Sequence, residues 1–452
     1  MELHELARPV INSSRGLVDE VVVVVNRVDW HMIRFANNEP TIVNNWVQYT
    51  VDVYLSRGRR FITTSITSTN PSEVVNRVGE AIKQLNVTPE DPLFTPITHV
   101  GKPTMELPGS YDKRIEDALD PLIDKLNNAI QASISEGAER NAGALTYGVL
   151  SRYYLDHTGL ELEGKYSFVT LTIRAFAGDS TATSTAVSRD LDGFRAEDAG
   201  REAGRLASLG KGLPVEDIEP GRYKVLLGPL VSGHLYGLVV SLWFNAHSVL
   251  VGMSGISRED LGKQVASGNL SISDLSHEGT ALNSESFDYE GNPTRNLEII
   301  SRGVLKALLH NNRTAAKFGT ETTGNATDLG GVVRPGPRHV LINPGSMPSD
   351  LDGLLGELDN GVFISNNWYT RFQNIRDGLF STVARDQVLL VRGGRPTARL
   401  RGVRIADTFR TLLSGYVDSS KRAWQVYWWD MDVPSTAPYV LIENLGLTKG
   451  PE

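Results

Sequence analysis

The stretch LYGLVVSLWFNAHSVLVG, Leu235–Gly252, decides how the second half of this chain is built. It lies within a segment, 225–257, that contains no Asp, Glu, Lys or Arg. A run of roughly 20 apolar residues is enough to cross a bilayer. Gly228, Pro229, Gly233, His234, Asn245 and His247 interrupt this one with groups that suit lipid poorly, and it has neither a second span nor a strongly basic flank. The stretch therefore reads as a buried helix starting near Pro229, at the centre of a globular domain. Gly233, Gly237 and Ser241 recur every four residues and form a small-residue stripe that lets another backbone approach. Leu235, Leu238, Val239, Leu242 and Trp243 supply bulk on the other faces. His234 and His247 are the only imidazoles on the stretch and its first turns. On one straight helix they would stand roughly 20 Å apart along the axis and about 140° apart around it. They could not share a zinc whose nitrogens lie at about 2.1 Å unless the helix broke near Asn245, which nothing in the sequence supports.

Outward from this helix, composition narrows the function. The 452 residues suffice for two domains with their own cores. A net charge of -8 without a long Lys/Arg run argues against a nucleic-acid binder. The small clusters at Arg57, Arg59 and Arg60, and at Arg395, Arg399, Arg401 and Arg404, read as solvated strand ends. Cysteine is absent, which excludes disulfides, thiolate nucleophiles, iron–sulfur clusters and sulfur-ligated zinc. The opening MELHELARPVINSSRG has acidic residues and no apolar core of signal-peptide length, so the expected location is cytoplasmic, with no membrane association.

The expected fold class is α+β. In the first half, residues 18–68 read as three or four strands rich in β-branched and aromatic residues, turning at Asn-Asn-Glu-Pro and Arg-Gly-Arg-Arg. NPSEVVNRVGEAIKQL reads as a helix capped by Asn70 with Pro71 in its first turn. A second helix over YDKRIEDALDPLIDKLNNAIQASI is expected to be interrupted at Pro121, and the two should cover one face of an N-terminal mixed sheet. More strands over 142–187 and an Ala-rich amphipathic helix over RAEDAGREAGRLASL complete this part. The Gly/Pro/acid-rich segment 210–222 reads as a linker, dividing an N-terminal domain, 1–212, from a C-terminal domain, 213–452. The latter is expected to be mostly antiparallel β around the single buried apolar helix.

Local motifs offer little chemistry. The sequence has no phosphate-binding G-x-x-x-x-G-K-[ST], no G-x-G-x-x-G opening a helix and no G-x-S-x-G nucleophile elbow. The His-Glu pairs His4-Glu5 and His277-Glu278 have no second His at metalloprotease spacing and read as solvated positions.

Longer blocks are more informative. VLLGPLVSGHLYGLVV (225–240), LGKQVASGNLSISD (261–274), SFDYEGNPTRNLEIISRGVLKALLHNNRTAAKFG (286–319), TTGNA (322–326) and STAPYVLIENLGLT (435–448) resemble the TldD/PmbA metallopeptidase family. The most specific part is F-D-x-E-G-x-P-T-R at Phe287–Arg295, followed by Gly303-Val304-Leu305 and the turn into Arg313–Lys317. The resemblance implies a zinc peptidase fold in which the catalytic branch carries H-E-x-x-x-H on the apolar helix and a later Cys ligand. The six motif positions fall here on Gly237, Leu238, Val239, Val240, Ser241 and Leu242, so the ligand, base and ligand positions are Gly237, Leu238 and Leu242. A hydrolytic zinc needs three protein ligands, a water position and a carboxylate base, and these side chains supply none of them. The resemblance thus implies the TldE/PmbA-like branch: no catalytic or metal residue and no cofactor in this chain, with zinc in a TldD-like partner chain and unfolded peptide as substrate. Two alternatives stay open: a peptidase with its own site, using His234 or His247, and a self-associating peptide-binding protein.

Overall fold

Long runs of β-branched and aromatic residues alternate with tight turns through the first 190 residues, and this pattern closes a six-stranded sheet. The computed structural model describes residues 1–328 and 334–450. After α1 (His4–Ser14), strands β1 (Glu20–Ala36), β2 (Glu39–Arg57) and β3 (Arg60–Ile66) form a meander. Helices α2 (Pro71–Leu85) and α3 (Leu119–Ser135) follow, then β4 (Arg140–Asp156), β5 (Glu161–Ala177), β6 (Ser180–Ser188) and α4 (Ala196–Leu209). The sheet order is β3-β2-β1-β4-β5-β6. Every pairing in it is antiparallel, so the expected mixed sheet is corrected. Four of the five pairings join consecutive strands through hairpins, such as Asn37-Asn38 with φ 51 and 69, the left-handed pair that matches strand twist; the fifth, β1–β4, is reached through α2 and α3.

Asn70 caps α2 as expected, its side chain accepting from the Ser72 amide. The break ascribed to Pro121 falls earlier, at Ala118, after the short turn Lys113–Asp117; Pro121 sits in the first turn of α3, where its missing N–H costs nothing. Both helices lie on one sheet face, as the periodicity predicts. Helices α1 and α2 pack over Val21, Val23, Val25, Val51, Val53 and Leu55. Helices α3 and α4 pack over Ile33, Leu145, Tyr147, Leu171 and Ile173. Val25 and Ile33 share the odd-numbered side of β1, and among the described residues the even-numbered side, where Val22 and Val24 meet Tyr54, Tyr154 and Phe287, carries no helix. Helices α3 and α4 approach closely because Gly200 and Gly204 face Ala129 and Ser133; a Cβ on Gly200 would stand 1.9 Å from the Ala129 carbonyl oxygen.

The second half comprises β7 (Val215–Asp217), β8 (Gly221–Leu227), α5 (Pro229–Trp243), α6 (Ala246–Leu250), β9 (Ile272–Leu275), β10 (Asn296–Ser301) and β11 (Val304–Leu305). It continues with α7 (Asn312–Phe318), β12 (Val340–Ile342), α8 (Leu351–Leu358), β13 (Gly361–Asn374), β14 (Leu379–Arg392) and β15 (Arg395–Arg401). Strand β16 (Val403–Thr408), α9 (Phe409–Ser414), β17 (Tyr416–Val426) and β18 (Ser435–Lys449) complete it. The strands form a 12-stranded sheet, mostly antiparallel, with parallel pairs β8–β13, β12–β18 and β7–β15. Strand β7 lies within the segment read as a linker. Alternate residues of the central strands point to two cores: Leu226 and Phe363 join α3, α4 and α8, while Val225, Leu227, Val362 and Ile364 join α5. The α+β class holds, with the apolar helix at the heart of the larger core.

Helix α5 has apolar residues all round because it is buried all round. Its small-residue stripe meets the start of β18: a Cβ on Gly233 would lie 2.7 Å from Val426 Cγ2, and Ser435 Oγ donates to the Gly233 carbonyl at 3.1 Å. The helix ends at Trp243, and Asn245 caps the separate helix α6 by accepting from the His247 and Ser248 amides. The unexpected break near Asn245 is therefore present, and His247 is not on the helix of His234. Among the described residues no helix is long and apolar enough to cross a membrane.

Candidate functional site

The helix-free face of the first sheet forms the floor of a cleft of about 1040 Å³. Even-numbered residues supply it: Val28, Trp30, Met32 and Arg34 from β1, Ala144 and Thr146 from β4, and Tyr166, Phe168 and Thr170 from β5. Its far wall comes from the second half of the chain, through Leu282, Asn283 and Glu285 and through Tyr427, Trp428 and Trp429, which follow β17. The aromatic rings are mutually braced. Trp30 meets Phe168 edge-on at 6.3 Å and Trp46 at 5.2 Å, and Trp428 meets Trp429 at 5.4 Å. A concave, mostly apolar surface with a few placed polar groups is the usual form of a ligand site.

The polar groups at the inner end are buried and charged. Glu285 Oε2 accepts from Arg152 Nη1 and from Arg338 Nη1, each at 2.5 Å. Arg152 also donates to Asn26 Oδ1 at 2.7 Å and to Tyr289 Oη at 2.9 Å, and Asn26 donates in turn to Asp52 at 3.2 Å. This network clamps β4 to the loop after β9 and to the residues before β12. Arg189 lies beside it and donates to three backbone carbonyls, of Ala281, Ser167 and Ser284. Burial pulls the Arg189 guanidinium down to about 10.

The F-D-Y-E-G-N-P-T-R block packs behind the cleft. Asp288 accepts from the amides of Glu290, Asn292 and Ala326, and Glu290 accepts from the Asn312 amide. Burial pushes both carboxyls up, and the Asp288 charge raises Glu290 further. Gly291, at φ 76, lies against the Tyr154 ring, where a Cβ would approach to 2.8 Å. The block is a buried turn whose carboxylates organise backbone.

The residues singled out on α5 have a different setting. Gly237 faces Ser435 Oγ and the Val433 carbonyl, Leu238 is 9% exposed, and Leu242 packs against the same core. His234 is buried, its Nδ1 held 3.1 Å from the Asn367 amide nitrogen, and burial lowers it to about 4. His247 is half-buried with Nδ1 unpartnered, and is lowered by burial and by Arg313 and Arg334. Among the described residues no group of three or more His, Cys, Asp or Glu is placed to hold a metal. The sequence reading did not identify the cleft residues. Its available signals were the run Tyr427-Trp428-Trp429 and the aromatic residues at even positions of otherwise polar strand segments.

A family model described as the PmbA/TldA metallopeptidase C-terminal domain matches residues 220–449, and its central-domain companion matches 105–210. Among curated proteins, a metalloprotease of Methanothermobacter thermautotrophicus is 28% identical over 227 residues, 47% of this chain and 48% of that one. A metalloprotease of Methanocaldococcus jannaschii is 30% identical over 149 residues, 32% of each chain. The matches thus span between a third and a half of those relatives. Among solved structures, TldE from Thermococcus kodakarensis superposes with a TM-score of 0.81 at 20% identity, covering 98% of this chain and 100% of the other; at that identity the likeness speaks for the fold alone.

Proposed function

Because this chain belongs to the PmbA/TldD metallopeptidase family, we propose that it is a non-catalytic, TldE-like subunit that pairs with a zinc-bearing TldD-like chain and helps hold peptide for cleavage. The observation that carries this reading is the content of α5. Where the resemblance sets the family's zinc motif stand Gly237, Leu238 and Leu242, which offer no nitrogen, oxygen or sulfur donor from their side chains. Zinc hydrolysis needs three such ligands and a base, so the residues present do not fit the metal. His234 and His247 do not replace them: they stand on separate helices, and His234 is committed to Asn367 in the core.

Two features support a role in an assembly that handles peptide. The aromatic cleft is large enough for a peptide segment of several residues. Strand β3 pairs with β2 only from Val51 to Arg57, so among the described residues the outer edge of β2 from 39 to 50 has no partner strand. That half of β2 exposes Ile42, Val43, Trp46 and Val47. An apolar open edge of this kind is normally covered by another chain. The work proposed is cytoplasmic peptide degradation or leader-peptide processing. Co-expression with a tagged paralogue bearing H-E-x-x-x-H should yield a complex that elutes as one species, with zinc tracking the paralogue and this chain alone metal-free. Separate elution at micromolar concentration, or stoichiometric zinc on this chain alone, would rule the reading out.

A further inference from the structure

Two guanidiniums, exposed Arg34 and buried Arg189, line the cleft with one carboxylate, Glu285, which buried Arg152 and Arg338 bond from behind. Arg152, Arg189 and Arg338 are 6%, 3% and 5% exposed, and the one carboxylate among them, Glu285, is already shared by Arg152 and Arg338. Asp52 reaches Arg152 only through Asn26, and Asp288 is occupied by backbone amides. Arg189 pairs with no carboxylate among the described residues. Its three bonds go to neutral carbonyls and its ring neighbour is Tyr166, at 5.5 Å. A guanidinium has five N–H donors in a planar fork that matches a carboxylate. Three are used here, leaving two. Glu285 acts on Arg189 only at longer range and is already bonded to two other guanidiniums, so the burial of this cation is incompletely offset, and an anion entering the cavity it lines would offset more of it. Beside it, Tyr166 and Phe168 give way to Trp30, with Trp428 and Trp429 opposite, so the groups next to the anion position are flat and apolar.

We propose that the cleft takes an extended peptide segment in which a carboxylate pairs with Arg189 and a neighbouring bulky apolar side chain lies among Trp30, Phe168 and Trp428. This rests on the reading of the chain as a peptide-holding subunit and adds the substrate class: apolar peptides bearing a carboxylate, from the chain end or from Asp or Glu. Charge complementarity carries the choice, since Glu285, the only acidic side chain lining the cleft among the described residues, is already bonded to Arg152 and Arg338.

The test uses the wild-type protein and three fluorophore-labelled hexapeptides rich in Leu and Phe: a free acid without acidic side chains, its C-terminal amide, and the amide with one internal Asp. Fluorescence anisotropy should show the free acid or the Asp peptide binding at least about ten-fold tighter than the plain amide, and which of the two does so identifies the source of the carboxylate. Arg189→Met, checked for an unchanged melting profile, should level the three affinities, while Trp429→Ala, at a ring 62% exposed, should weaken all three alike. Equal binding of the three peptides to the wild type would overturn the carboxylate pairing and leave the peptide-holding reading intact. Binding of none would overturn both, whatever the co-elution experiment gives.

Discussion

Replacing Glu285 with Ala should destabilise the protein by at least about 3–5 kcal/mol, the cost of leaving a buried charge without its partner. Here two guanidiniums lose the same carboxylate, Arg152 on β4 and Arg338 before β12, and both are nearly inaccessible to water. The loss falls on the contact between the two sheets' elements, so the cleft should loosen as the protein weakens. Urea or thermal unfolding followed by tryptophan fluorescence reads this directly. The matched control is Glu197→Ala, which removes the exposed i,i+4 pair with Arg201 and should cost no more than about 0.5 kcal/mol. A Glu285→Ala midpoint within about 1 kcal/mol of wild type would show that solvent or neighbouring groups already balance these arginines.

Stability should also peak a little above pH 6 and fall on both sides, for opposite reasons. His234, His310 and His339 are lowered to about 4, in each case chiefly by burial. Unfolded, they titrate near 6.5. Between these values the unfolded chain binds more protons, so stability is full above about pH 6.5 and is lost as pH falls toward 4, by about 1.4 kcal/mol per pH unit for each ring. Asp288 and Glu290 act in the other direction. Their folded values are raised, by burial first, so the folded chain keeps a proton that the unfolded chain releases, and that contribution fades as pH rises. Asp52 and Asp274 are also raised by burial and act in the same direction. His247, lowered by burial and by Arg313 and Arg334, adds to the acid-side loss, so there the imidazoles outweigh Asp288 and Glu290, and above pH 6.5 the alkaline loss remains. Glu290→Gln should abolish the alkaline fall and steepen the acid one in melting scans from pH 4.5 to 8.5. A flat profile in the wild type, or an unchanged alkaline limb in the variant, would contradict the burial of these groups.

The parts of the fold written in local chemistry were legible in the sequence. Asn70 with Pro71 marked the start of α2, alternation marked the strands, and a charge-free run with a Gly233-Gly237-Ser241 stripe marked a helix buried on every side. What escaped was set by tertiary contact. Helix α5 ends at Trp243, whose Nε1 donates to the Ile375 carbonyl at 2.8 Å, and Asn245 caps a new helix, a cap signal that the unbroken apolar run around it outweighed. The parallel pairs of the larger sheet join strands distant in sequence, such as β8 with β13, and no local pattern encodes them. The cleft was invisible for the same reason: Trp30, Arg189 and Trp429 are scattered along the chain and meet only because one sheet face is left without helices. The resemblance set the motif positions on Gly237, Leu238 and Leu242, whereas no pattern pointed to the buried Arg152–Glu285–Arg338 network.

The role proposed for this chain is to support cleavage by a partner without performing it. The most direct measurement is the rate at which a separately purified TldD-like paralogue, zinc-loaded, cuts an unfolded peptide with and without this chain. The account predicts no cleavage by this chain alone and a large increase in rate when the two are mixed. A paralogue that cuts equally fast alone, or cleavage by this chain on its own, would contradict it.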